Sequence, residues 1–103
     1  MDNIKTKINK YIQDKEYRKA LKELSELIDE DKDLLNCLIL RAEVYNILEE
    51  HSKALNDYNK AFKIDSTNKN VGSKIEMIKD ILKFQSLNIY EATNLNLDPW
   101  LDD

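Results

Sequence analysis

The chain has few side chains of the kinds that catalyse reactions or bind metals. Its 103 residues include one histidine, His51, one cysteine, Cys37, and one glycine, Gly72. A structural zinc site needs four ligands and a phosphate-binding loop needs several glycines, so neither can be built. We expect His51 to face solvent in a polar turn and Cys37 to be a small buried residue near the start of a helix. The sequence therefore predicts a protein that is not an enzyme, with no catalytic residue, metal or cofactor.

The chemically most distinctive part of the chain is an acidic segment at residues 86–103. Residues 1–85 contain all 16 lysines and arginines and 16 of the 20 acidic residues, so 86–103 carry four acids and no basic residue. This segment contains the only tryptophan, a residue enriched among binding hot spots, and its proline favours an extended end. Its interaction side chains are predicted to be Leu97, Trp100 and Leu101, among Asp98, Asp102 and Asp103.

Three uses of this acidic tail remain open. It can fold back on its own domain, with Trp100 on an apolar surface and the acids near Lys79 or Lys83. It can insert into a partner protein and become ordered as it binds. Its Asp-Pro-Trp tripeptide also resembles short motifs of endocytic accessory proteins, a third route to a protein partner.

Composition and charge exclude several classes of function. Charged residues are 35% and hydrophobic residues 42% of the chain, with one glycine and one proline, which favours a single mostly helical domain. The balanced body lacks the positive field of a protein that binds nucleic acid. No apolar run is long enough to span a membrane, and the first residues lack the apolar core of a secretory signal. A single cysteine favours a reducing compartment, the cytoplasm or the nucleus.

Apolar spacing predicts the helices that position these residues. Residues 3–13 and about 16–29 place apolar side chains three and four positions apart, as amphipathic helices do. A further stripe predicts a helix over 69–85, with Ser66 or Thr67 as its N-cap. The members of that stripe are Val71, Ile75, Ile78 and Leu82.

Residues 1–34 and 35–68 read as two copies of one unit. A shift of 34 positions superposes them, and such a period is typical of helical solenoids. We expect Ala20 and Ala54 at close crossings of paired helices, because the distance between helix axes depends on the side chains at the contact. Other superposed pairs are Ile8 with Ala42, Tyr11 with Tyr45, Leu21 with Leu55, Leu24 with Tyr58 and Ile28 with Phe62.

The stretch 38–65, LILRAEVYNILEEHSKALNDYNKAFKID, resembles a tetratricopeptide repeat, a helix-turn-helix unit of about 34 residues. Alanines stand where the helices must touch, and aromatic residues fill the spaces between them. The resemblance implies an all-α fold, a helical-hairpin solenoid that ends in a capping helix and an acidic tail. Its divisions are a first repeat at 1–34, a second repeat at 35–68, a capping helix at 69–85 and the tail at 86–103.

A degenerate third repeat at 69–101 is the alternative to a capping helix. It is disfavoured because Glu76 and Asn88 fall where the second repeat has Ala42 and Ala54. Two repeats are few for independent stability, since about three stacked units are usual. The resemblance therefore favours help from the capping helix, formation of a homodimer, or residence in a larger complex.

In the family that this chain resembles, the first helix of each repeat lines a concave groove that receives peptides. The apolar run from Leu38 to Leu40 is longer than one core face needs, so some of it is expected to face this groove. Alternatively, these side chains pack against the capping helix or the tail. The groove residues implied by the resemblance are Lys5, Asn9, Ile39, Leu40, Glu43, Lys74 and Met77, with Ile12, Gln13, Asn36, Ile47 and Asn70 beside them.

These features predict a non-catalytic protein-protein interaction module, a small adaptor or a co-chaperone-like protein. The alternative is a structural subunit of a larger assembly that docks through its convex face and its tail. A more specific possibility is the clamp that some family members use to bind the carboxylate of a chaperone C-terminus. Lys5, Asn9 and Lys74 resemble parts of that clamp, and charge-assisted hydrogen bonds would hold the carboxylate. Leu40 stands where the clamp has its central asparagine.

Overall fold

The computed structural model describes the backbone of residues 2–95 and the side chains of residues 4–87. Within that part of the chain there are five α-helices and no strand, which confirms the all-α prediction. The first two helices begin and end within one or two residues of their predicted bounds. The helices are α1 (Asp2–Gln13), α2 (Tyr17–Asp29), α3 (Leu34–Ile47), α4 (His51–Ile64) and α5 (Lys69–Leu95).

Helix α3 lies at the centre of the packing. Each helix contacts the next along the chain, and α1 also contacts α3, so α3 packs against α1, α2 and α4. It contributes to two apolar clusters, one with α1 and α2 and the other with α4 and α5. A helix buried on several sides must be apolar around much of its circumference. This explains the run at 38–40, because Leu38 belongs to the second cluster and Leu40 to the first.

The two hairpins α1–α2 and α3–α4 turn in the same way. Lys15 and Glu49, 34 positions apart, both have left-handed backbone conformations, with φ of 60° and 61°. The next residue in each turn donates its backbone N–H to a tyrosine carbonyl, at 2.8 Å to Tyr11 and 2.9 Å to Tyr45. Such bonds satisfy carbonyls that the end of a helix leaves without partners. The 34-residue period of the sequence is therefore also a period of the backbone in these turns.

The alanines that the period superposes are fully buried. Ala20 and Ala54 are each 0% exposed, as are Ile8 and Ala42 on the first helix of each hairpin. Both alanines are therefore interior, as the predicted position between paired helices requires. A larger side chain at either position would push apart two helices that already touch.

Helix α5 differs from its prediction at both ends. Its N-cap is Asn68, whose Oδ1 accepts a hydrogen bond from the Val71 N–H at 3.1 Å, and not Ser66 or Thr67. At the other end it continues past the predicted bound at residue 85 to Leu95, so the further helical turns that the sequence allowed over 86–93 are formed. No glycine or proline interrupts the sequence between 73 and 98, so helical geometry can continue after the stripe facing α4 has ended. The predicted tail residues Leu97, Trp100 and Leu101 lie outside the described residues.

Candidate functional site

Three helices bring charged side chains to one surface around Glu43. Glu43 lies on α3 and is half-buried, and this burial raises the pKa of its carboxyl group. Lys74 of α5 and Lys5 of α1 are near enough that their positive charges offset part of that rise in pKa. The sequence assigned all three residues to the groove, and the structure places each lysine within electrostatic range of Glu43.

We call this region the inner surface and define it by these three residues and their neighbours on the same helix faces. Residues three or four positions apart are neighbours on a helix. By this spacing Asn9 follows Lys5 on α1, Ile39 and Ile47 flank Glu43 on α3, and Met77 follows Lys74 on α5. The inner surface is thus Lys5, Asn9, Ile39, Glu43, Ile47, Lys74 and Met77.

The phenol of Tyr58 lies beneath this surface, in the second apolar cluster. Tyr58 belongs to α4 and is 1% exposed. Burial, together with the negative charge of Glu43, raises the pKa of Tyr58 to about 12. The half-buried carboxylate therefore sits close to a neutral aromatic side chain of the core, a position in which its negative charge is poorly hydrated.

The predicted groove residues differ in exposure. Ile47 and Met77 are 47% and 43% exposed, large fractions for apolar side chains in a folded domain. Ile39 is half-buried and packs against the second cluster. Leu40 is interior, in the first cluster, so it holds helices together and offers no surface to a ligand. The exposed polar members are Lys5 and Asn9.

A buried ion pair between α3 and α4 was not anticipated from the sequence. Arg41 donates from Nε to Asp57 Oδ2 at 2.7 Å and from Nη2 to Oδ1 at 2.9 Å. Its Nη1 also donates to Ser25 Oγ of α2 at 3.0 Å. The hydrogen bonds that Arg41 donates to Asp57 raise the pKa of the guanidinium, and Asp57 is buried.

The repeat contained a signal for this pair. A shift of 34 positions superposes Arg41 on Lys7 and Asp57 on Glu23, so each hairpin has a basic and an acidic residue at matched positions. The Lys7 and Glu23 side chains do form an ion pair, at 2.6 Å. The charged pair is thus a second feature that the two hairpins share.

Cys37 is buried as expected, whereas His51 is half-buried at the start of α4 and does not simply face solvent in a turn. Cys37 is fully buried, its Sγ lies 3.5 Å from the Lys32 carbonyl oxygen, and burial raises the pKa of the thiol. His51 begins α4, with Nδ1 2.8 Å from Oδ1 of Asn46. Among the described residues no three histidine, cysteine or acidic side chains lie together as a metal site would require. In the same part of the chain no helix combines the length and apolarity needed to cross a membrane.

The second half of α5 carries exposed apolar side chains that the sequence analysis did not assign. Phe84 is 65% exposed and Leu87 is 52% exposed. We call these two residues the distal patch. With Met77 and Ile81, Phe84 continues an apolar line at spacings of four and three, on a different side of α5 from the stripe that faces α4. This apolar spacing could have identified the distal patch from the sequence.

No family model, curated protein or solved structure matches this chain.

Proposed function

We propose that this chain is a non-catalytic protein-interaction module that binds a peptide segment of another protein on the inner surface. The observation that carries the proposal is that Lys5 and Lys74, from two other helices, lie within electrostatic range of Glu43. Ile47 and Met77, on the same helix faces as Glu43 and Lys74, are exposed. Grouped apolar and charged side chains on a surface are typical of sites that bind other polypeptides.

The repeated hairpin supports the same conclusion. Two hairpins with the same turn and buried alanines at matched positions are what the tetratricopeptide resemblance implies for repeats at 1–34 and 35–68. On that basis α1, α3 and α5 are the helices that line a concave groove, with α5 as the capping helix. Binding of a peptide there accounts for the charged and apolar groups that these helices share.

The inner surface also indicates what the peptide contains. Ile47 and Met77 provide contact for apolar side chains, and methionine adapts its shape to irregular ligands. The ammonium groups of Lys5 and Lys74 suit acidic side chains of the peptide. Glu43, poorly hydrated in the free protein, gains from a basic side chain or a backbone N–H. The proposed ligand is therefore a peptide with apolar anchors flanked by both acidic and basic residues.

A clamp for a terminal carboxylate is less well supported than the binding of such a peptide. Leu40, at the position of the clamp's central asparagine, is interior and donates nothing. A peptide ending in Glu-Glu-Val-Asp serves as the probe for this possibility, and Lys5→Ala and Asn9→Ala should weaken its binding if the clamp operates.

Selection of peptides on the intact protein tests the proposal. A displayed library of random twelve-residue peptides would be selected against the full chain, and the affinity of each enriched peptide measured by fluorescence anisotropy. We expect Met77→Ser and Ile47→Ser to weaken binding. Ile64→Ser is the matched control, because Ile64 is 50% exposed but lies on α4. Enrichment of no peptide, or equal affinity for all four proteins, would overturn the proposal.

A structural subunit that docks through its convex face and tail is the second candidate. The exposed distal patch favours it, because Phe84 and Leu87 lie outside the inner surface. If this candidate is correct, a purified partner complex will be disrupted by Phe84→Ser and unaffected by Met77→Ser. The single buried cysteine favours a reducing compartment, so we propose the cytoplasm or nucleus as the site of either function.

A further inference from the structure

We infer that the peptide bound by the inner surface is an amphipathic α-helix of another protein, and that it lies along α5 over Met77, Ile81 and Phe84. We call these three residues the α5 ridge. This inference rests on the proposed function, and it adds a conformation for the peptide and a contact with Phe84.

The α5 ridge is apolar and accessible. Met77 and Phe84 are exposed, and Ile81 between them is half-buried. Spacings of four and three place the three side chains on one face of α5. The buried face of the same helix, with Ile75 and Ile78, packs into the second apolar cluster. Within the described residues α5 packs mainly against α4, so the ridge is open to a partner.

The ridge continues the inner surface along α5. Helices α3 and α5 run in the same direction, because each packs against α4 and is joined to it by a short turn. Lys74 of α5 lies within electrostatic range of Glu43 of α3, so one turn further along each helix places Ile47 level with the start of the ridge. Charged groups therefore lie at one end of the combined surface and apolar groups at the other.

A helix is the ligand conformation that these groups suit. Peptides that bind as strands need unpaired backbone groups at a sheet edge, and every described secondary-structure element is a helix. Peptides that bind as polyproline helices need a groove lined by aromatic residues, whereas Phe84 is the one aromatic residue among the large exposed apolar side chains of the described residues. An apolar line with spacings of four and three matches a second helix, whose side chains have the same spacing.

Charges beside the ridge specify the two flanks of the ligand helix. Asp80 is exposed on one side, three residues after Met77 and four before Phe84. Lys74 lies on the other side, in line with Ile81 seven residues later. The complementary ligand has a basic residue beside Asp80 and an acidic residue beside Lys74, at opposite edges of its apolar face. It is about three helical turns long, because the ten residues from Lys74 to Phe84 span about 15 Å.

Parallel selection of two peptide libraries on the full chain tests the conformation. Both libraries display eighteen-residue peptides with the same apolar and charged residue types, one in an alanine-rich helical frame and the other with a proline at every fourth position, which prevents a helix. We expect the helical library to give the tighter binders. Proline-containing binders of equal or higher affinity would overturn the helical ligand and leave the proposed function standing, whereas no binder from either library would contradict both.

Substitutions in the protein locate the tightest helical binder. Phe84→Ser and Met77→Ser should each raise its Kd roughly tenfold, as loss of an anchoring side chain does. Ile64→Ser is the matched control on α4 and should leave the Kd unchanged. Circular dichroism would verify that all three variants are folded, as expected for exposed positions. A Kd unaffected by Phe84→Ser, or by Met77→Ser alone, would overturn the placement along the ridge.

The charge complementarity has its own pair of variants. Asp80→Lys should weaken the tightest helical binder, and Glu26→Lys, the same change at an exposed acid of α2, should not. Replacement of the basic flank residue of the peptide by glutamate should restore binding to Asp80→Lys. An equal response of the two protein variants, or no recovery with the changed peptide, would overturn the pairing of that flank with Asp80.

Discussion

The first hairpin, α1–α2, and the second, α3–α4, hold an ion pair at matched positions in different surroundings. In the first, Lys7 Nζ lies 2.6 Å from Glu23 Oε2, with side chains 55% and 32% exposed. In the second, Arg41 Nε lies 2.7 Å from Asp57 Oδ2, with side chains 16% and 2% exposed. The distances are alike, so the difference lies in how much water reaches each pair.

The number of neighbours around each hairpin explains this difference in exposure. The second hairpin has α2 on one side and α5 on the other, while the first has a neighbouring hairpin on one side only within the described residues. Exposed ion pairs contribute little to stability because water and salt screen them. A buried pair is different, since loss of one partner leaves an uncompensated charge in the interior. Matched positions in a repeat are therefore not energetically equivalent.

Loss of the buried acid should have the largest effect. We expect Asp57→Ala to lower the free energy of unfolding by about 3–5 kcal/mol, because Arg41 would remain charged and without its partner. Urea denaturation followed by far-ultraviolet circular dichroism measures this loss. The double variant Arg41→Met and Asp57→Leu removes both charges and should lose much less. A small loss for Asp57→Ala alone would contradict the buried, paired geometry.

Replacement of the buried alanines by leucine should show the same contrast between the two hairpins. Ala54→Leu is expected to cost about 1–3 kcal/mol, because α3 is held by neighbours and cannot move away from α4. Ala20→Leu should cost less, because within the described residues α1 packs mainly against α2 and α3 and can shift outward. Midpoints of urea unfolding for the two variants provide the measurement. The reverse order would show that the first hairpin is the more rigid of the two.

A smaller effect is expected where the hairpins differ in charge, at Glu43 and its matched residue Asn9. Burial raises the pKa of Glu43, and an acid whose pKa is raised on folding costs stability at pH values above that pKa. Glu43→Gln should therefore raise the free energy of unfolding at neutral pH, by less than about 1 kcal/mol because the group is half-exposed. The difference from the unmodified protein should vanish as the pH falls below the pKa of an unfolded glutamate. A variant that is less stable at neutral pH would contradict this account.

The exposed ion pair of the first hairpin should contribute least to stability. Glu23→Gln is expected to leave the urea midpoint unchanged, because Lys7 is exposed and stays hydrated without its partner. Measurements of the urea midpoint at low and high salt would check that screening by salt does not hide a contribution of this ion pair. A loss as large as that of Asp57→Ala would show that the two hairpins are equivalent after all.

Helix positions could be predicted because amphipathic spacing and the 34-residue period are local properties of the chain. The predictions for α1 and α2 agree closely with the structure, as does the burial of Ala20 and Ala54. The length of α5 could not be predicted in the same way. Its stripe toward α4 ends near Leu82, whereas the helix itself continues to Leu95.

The candidate site was only partly predictable for the same reason. Lys5, Glu43 and Lys74 were assigned to one groove by resemblance, and the structure brings their charges together. Leu40 was assigned to that groove too, yet it is interior. A run of adjacent apolar residues does not show which helix each one meets, because α3 has neighbours on several sides.

By itself, the amino-acid sequence determined the helical class, the duplicated hairpin and the small residues inside it, because these follow from spacing along the chain. Only the tertiary structure decided that Arg41 and Asp57 are buried while Lys7 and Glu23 are exposed, and that Phe84 faces solvent. Burial is a property of neighbours that are distant in sequence. Two stretches with the same pattern therefore differ once one lies between other helices and the other lies at the edge.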